Sequence, residues 1–166
     1  MKKCNTQIMK EIKKLQEEKI KLLEKDRTTQ YVTYATEEEL LDVSYDYEKM
    51  SNNLDWYDNE IRRLKVLLAR SNNTTIVEGF DMNLNEALIY LAQLKLKEKR
   101  LNNMSNREQF YRGHCSIFGK STDCVEYTKA LYDVEKASND LKEIKDTIIA
   151  LQMAIDRTNL SNMIEC

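Results

Sequence analysis

The sequence predicts an all-α protein of two tandem antiparallel helical hairpins in a coiled-coil-like four-helix arrangement, with room for a small β-ribbon at the helix ends. Three observations predict it. The 166 residues include no proline and only three glycines (Gly79, Gly113, Gly119), the residue types that break or weaken helices. Apolar residues recur at alternating steps of three and four, which is the spacing of a helical seam. The second half of the chain also repeats the first. At a constant offset of 87 and without gaps, residues 45–78 and 132–165 are identical at 12 of 34 positions. One packing solution used twice accounts for such a match.

The leading helix is marked by Ile8, Ile12, Leu15 and Leu22, with Lys19 filling one seam position. A loop follows in which Thr and Tyr alternate, a pattern that fits a short strand around Tyr31 to Tyr34. Thr36 and Glu39 then have capping-box spacing. The returning helix, expected over residues 43–72, would be roughly 45 Å long at 1.5 Å per residue. Its seam is Tyr47, Met50, Leu54, Tyr57, Ile61, Leu64 and Leu68. Asn72 and Asn159 are expected to stop their helices, because Asn tolerates the left-handed conformation. Beyond them, residues 74–77 and 162–164 have extended character and would pair with each other.

The second copy opens cleanly at Asn83, with Glu86 three residues on. Leu84, Leu88, Leu91, Leu94 and Leu101 mark its first helix. Val134, Ala137, Leu141, Ile144, Ile148, Leu151 and Ile155 mark its second. Between them lies a loop with Arg107, Arg112, His114 and Lys120 beside Phe110, Tyr111 and Phe118. The repeats run 1–78 and 79–166 and are expected to form one structural domain.

Charge supports pairing within each copy. Residues 1–25 carry eight Lys and four Glu, whereas residues 37–60 carry nine acidic residues and one Lys. Residues 93–120 carry seven basic and two acidic residues, against seven acidic and four basic over 121–146. Complementary flanks favour an antiparallel hairpin. The net charge of -2 excludes a surface tuned as a whole to nucleic acid. The start of the chain lacks the continuous apolar stretch of a signal peptide. No window approaches the ~20 apolar residues of a membrane span. A cytoplasmic protein with no membrane partner is expected, its four cysteines reduced.

The segment SNNTTIVEGFDMNLNEALIYLAQL, from Ser71 to Leu94, resembles the signature of an uncharacterised group of small Clostridia-type bacterial proteins. In that group a long helix ends in a similar Asn-rich, Thr-rich corner and a second helix follows. The closing segment from Tyr132 to Asn159 resembles the group's C-terminal helix. A weaker similarity is to septicolysin-like helical-hairpin proteins. The resemblance covers most of the chain. It implies a fold and a bacterial or phage origin, but no activity, and it marks Asn72, Thr74, Gly79 and Asp81 as the matching corner.

Chemistry has few footholds. His114, Cys115 and Cys124 share one loop, with Asp123 and Glu126 nearby, but the tight cysteine pairs of a zinc site are missing. One histidine and no nucleophile elbow leave no recognisable triad. No enzymatic activity, metal or cofactor is expected. The favoured reading is a coiled-coil interaction or assembly protein that associates with itself or with another protein. Trp56, Tyr57, Leu67 and Leu68 are its interface residues, and Met9, Ile20, Leu23 and Val66 widen the apolar face. One alternative is RNA binding through the loop 107–120, where Arg107, Tyr111, Arg112 and His114 interleave charge with rings. Another is capture of a nucleotide or other small ligand at the repeated Arg-Asn ends, by Arg70, Asn72, Arg157 and Asn159 with Asp81.

Overall fold

The computed structural model describes residues 2–33, 45–117 and 120–165, and only the backbone of 114–117 and 120–124. The architecture is all-α with small antiparallel ribbons at the helix ends. In chain order the elements are β1 (Lys2–Cys4), α1 (Asn5–Thr29), α2 (Tyr47–Thr74), α3 (Leu84–Ser105), β2 (Phe110–Ile117), β3 (Lys120–Lys129), α4 (Val134–Ser161) and β4 (Met163–Glu165). They group into two units. The first comprises Met1–Thr75 with Thr158–Cys166, and the second Ile76–Arg157. The last turn of α4 therefore belongs with the first unit.

In the first unit α1 and α2 form an antiparallel hairpin around Ile8, Ile12, Leu15, Ile61 and Leu64. Tyr57, Leu67, Leu68 and Ile164 pack against that cluster. Lys19, at its seam position, reaches across to Asp58 at 2.6 Å. It makes the single ion pair between α1 and α2 among the described residues. The second unit packs Val77, Leu84, Ala87, Leu91, Leu94 and Leu101 against Leu141, Ile144, Leu151, Ala154 and Ile155. No ion pair joins α3 to α4 among the described residues, so this seam rests on apolar burial. Two expected seam residues are exposed. Leu88 is exposed while Ala87 is buried in its place, and Tyr47 at the start of α2 is 70% exposed.

Two neighbouring residues shared by the copies have the same structural jobs in both. Asp46 caps α2 by accepting from the Lys49 amide at 2.9 Å, and Asp133 accepts from the Lys136 amide at 3.0 Å. These bonds satisfy amides left free in a first helical turn. The tyrosine before each cap reaches back to the end of the preceding helix. The Tyr45 hydroxyl donates to the Asp26 carboxylate, and the Tyr132 hydroxyl donates to the Met104 carbonyl. Glu86 and Asn83 form the expected reciprocal capping box.

Four expectations are corrected. Residues 74–77 do not pair with 162–164. Instead Ile76 bridges to Asn83, and β4 pairs with β1 in the register Lys2↔Glu165, Lys3↔Ile164, Cys4↔Met163. Each extended segment after a long helix thus meets the segment opening a leading helix. Between Ile76 and Asn83 the chain turns at Gly79, whose φ of 81° favours a residue without a Cβ. Asn72 and Asn159 do not stop their helices, which run on to Thr74 and Ser161. The basic aromatic loop is a β-hairpin, β2 pairing with β3 from Phe110↔Lys129 to Ile117↔Lys120, with a register shift between His114 and Ser116. Residues 31–33 carry no strand. Tyr34 and the Thr36–Glu39 box lie outside the described residues.

Leu64 and Leu151 occupy matching places in the two seams, and both are fully buried. Leu64→Ala and Leu151→Ala should each lower the unfolding free energy by about 2–5 kcal/mol. Urea denaturation followed by circular dichroism reads the loss, and near-wild-type stability at either place would contradict the core assignment.

Candidate functional site

Two regions gather the residues singled out in the sequence. The first is a polar corner in the first unit, where the start of α1 meets the ends of α2 and α4. Asn5 is the first residue of α1 and is fully buried. Its Nδ2 donates to Asn72 Oδ1 at 3.3 Å and to Asn159 Oδ1 at 3.2 Å. Its Oδ1 accepts from Ser71 Oγ at 3.2 Å and from Asn162 Nδ2 at 3.4 Å. Asn162 Nδ2 also donates to Ser71 Oγ at 2.7 Å. A primary amide offers two donors and an oxygen with two lone pairs, so Asn5 is saturated.

The corner thus brings Asn72 and Asn159 together, on one side chain that the sequence did not single out. A signal for Asn5 exists in the pattern: the seam Ile8, Ile12, Leu15 extends back three residues to position 5. In the second unit the first residue of the matching helix is Leu84, also fully buried. Arg70 lies nearby on α2, exposed, in a shallow groove of about 360 Å³ with Arg62 and Arg63. Arg63 forks onto Glu60 at 2.6 and 3.0 Å, and this hydrogen bonding holds the Glu60 carboxyl below its ordinary range. Asp81 and Arg157 are exposed residues of the second unit.

The second region is the root and proximal half of the β-hairpin. Gln109 fixes the root. Its Nε2 donates to the carbonyls of Ala130 and Tyr132 at 3.1 and 3.0 Å, and its Oε1 accepts from the Val134 amide at 3.1 Å. Tyr132 ties the same root to α3 through Met104. Directly paired residues share a face of a hairpin. One face therefore carries Phe110 with Lys129 and Arg112 with Tyr127, and the other carries Tyr111 with Thr128 and Gly113 with Glu126. On the first face the Phe110 and Tyr127 rings stack at 5.6 Å, and the Arg112 guanidinium lies 5.9 Å from the Tyr127 ring centre. His114 pairs with Val125 along the backbone. Its side chain is outside the described set. Among the described residues no group of three His, Cys, Asp or Glu is placed to share a metal ion.

Of the expected interface residues, Tyr57, Leu67 and Leu68 pack on the first-unit core, while Trp56 is 57% exposed and meets Tyr57 edge to face at 4.9 Å. No helix among the described residues is long and apolar enough to cross a membrane.

No family model matches the chain. No curated protein matches it. Among solved structures it is similar to a functionally unknown conserved protein from Corynebacterium diphtheriae, at 14% identity and a TM-score of 0.67, over 99% of this chain and 100% of that one. At that identity the likeness shows the fold alone.

Two predictions follow from the corner and the tyrosine latch. Asn5→Ala removes the donor that the half-buried Asn72 and Asn159 side-chain oxygens share, and each orphan costs about 1–3 kcal/mol. Asn5→Leu, copying Leu84, should be comparably destabilised in urea, because its neighbours remain polar. Wild-type stability of that variant would show that the amide is dispensable. The hydrogen bond to Asp26, then desolvation and the Asp26 charge, raise the Tyr45 pKa to about 12. The folded state thus favours the protonated phenol. The latch is fully present below pH ~10, the unfolded value, and is lost as pH rises to ~12. A phenolate absorbance titration of wild type minus Tyr45→Phe should show one component with a midpoint near 12, and a midpoint near 10 would refute the latch.

Proposed function

We propose that this chain is a non-enzymatic assembly module that associates with itself through the apolar flanks of its first helical hairpin. The observation that supports this reading best is the exposure of Trp56. The only tryptophan of the chain stands in solvent on α2, held against Tyr57 rather than inserted into the seam. Large rings left in water are costly, and tryptophan is enriched where protein surfaces meet. On α1, Met9, Ile20 and Leu23 are exposed in a row beside the buried Ile8, Ile12 and Leu15. Their helical spacing places them along one stripe next to the seam. A two-helix hairpin covers a single stripe, so this second one is left for another surface. A second copy of the chain, carrying the same residues, is the simplest cover.

The Arg-Asn helix ends lend no comparable support to small-ligand capture, because the side-chain oxygens of Asn72 and Asn159 already accept from Asn5. Light scattering on a size-exclusion column should give an oligomer for the wild type. Trp56→Ala and Ile20→Lys should each shift it toward monomer with unchanged helicity. A wild type that stays monomeric at high concentration would refute this function.

A further inference from the structure

We propose that the β2–β3 hairpin is a docking surface for single-stranded nucleic acid, held by the face that carries Phe110, Arg112, Tyr127 and Lys129. This activity is separate from the assembly reading and rests on different residues. The face joins two features that single strands require. Flat rings accept bases by stacking, and cations beside them meet the phosphates. Phe110 and Tyr127 are each more than half exposed although they stack on one another. A cross-strand ring pair contributes to a hairpin, but that role does not require most of the ring surface to stay in water. The Arg112 guanidinium adds a planar cation that can itself stack on a base.

Charge complementarity selects the partner. By the strand register, the paired residues on this face include no carboxylate, because Glu126 pairs with Gly113 and falls on the opposite face. Further cations line grooves at the hairpin root. A groove of about 540 Å³ holds Arg107 and Lys129 beside Tyr111, with one carboxylate, Glu108. It shares Arg107 and Tyr132 with a groove of about 590 Å³ that holds Lys99 and Arg100 at the end of α3. None of the five cations Lys99, Arg100, Arg107, Arg112 and Lys129 makes an ion pair among the described residues. The acidic residues of α4 therefore do not neutralise them by direct pairing. Arg112 and Lys129 beside stacked rings, with Lys99, Arg100 and Arg107 in the grooves at the hairpin root, suit a flexible polyanion with exposed bases. An apolar protein partner would leave the cations without counterions.

The test is fluorescence anisotropy with a labelled oligouridylate of about twelve nucleotides, titrated with the full chain at low salt (~50 mM) and again at higher salt. The wild type should bind, with affinity falling as salt rises. The double variant Arg112→Gln/Lys129→Gln keeps both rings. It should weaken binding at least tenfold and reduce the salt slope by about 1.4, or about 0.7 for each phosphate contact on a single strand. Phe110→Leu keeps an apolar side chain at the hairpin root and should weaken binding with little change in that slope. Glu126→Gln on the other face should bind as wild type. Three outcomes overturn the proposal: no binding at low salt, unchanged affinity in the double variant, or a duplex of equal length bound as tightly as the single strand. If the double variant loses strand content by circular dichroism, Lys129→Gln alone, at the end of β3, decides the matter by the same readout.

Discussion

Asn5 has no exposed surface, so both of its amide hydrogens and both lone pairs of its oxygen must be met inside the protein. They are met by Asn72, Asn159, Ser71 and Asn162, which come from the end of α2, the last turn of α4 and the residue just beyond it. An apolar contact tolerates sliding by a residue or a rotation of a few tens of degrees. A saturated amide does not, since any shift strands a buried donor or acceptor. The register of α1 against α2 in the first unit is therefore set at this end. Lys19 with Asp58 and Tyr45 with Asp26 repeat the constraint further along the hairpin.

The second unit solves the same packing problem differently. Where Asn5 opens α1, Leu84 opens α3, and both are fully buried. Its helices carry no ion pair among the described residues, and its register is held at the opposite end by Gln109 and Tyr132. The duplicated chain thus keeps one scaffold and divides the means of fixing it. Polar specificity sits at the start of the leading helix in one copy and at the root of the β-hairpin in the other. That division leaves the second copy free to grow a ribbon of eight- and ten-residue strands between its helices.

Much of the helical architecture was legible because it is local. Seam spacing, the Asn83–Glu86 box and the 87-residue offset are all relations among near neighbours or copies of them. The identities at Tyr45/Tyr132 and Asp46/Asp133 now have a reason, since each pair latches and caps its helix. What the sequence hid was non-local or two-sided. β1 and β4 pair across almost the whole chain, and nothing in three-residue segments announces the partner. The β2–β3 hairpin escaped because Phe110, Tyr111 and Arg112 are all exposed. Strands are recognised by one face being apolar and the other polar, and here that alternation is absent. Asn72 and Asn159 looked like helix stops because Asn is common there. Their buried partner, Asn5, is 67 and 154 residues away.

The strand pairing of Lys2–Cys4 with Met163–Glu165 has a consequence for synthesis on the ribosome. The second unit is a continuous stretch, Ile76–Arg157, and all of its contacts are available once that stretch has emerged. The first unit is discontinuous. Its hairpin emerges first, yet Asn5 waits for Asn159 and Asn162, and β1 waits for β4. Vectorial emergence therefore inverts the order of completion, with the later hairpin able to mature before the earlier one. During that interval a buried-to-be asparagine and an unpaired strand edge are open to water, chaperones or another nascent chain.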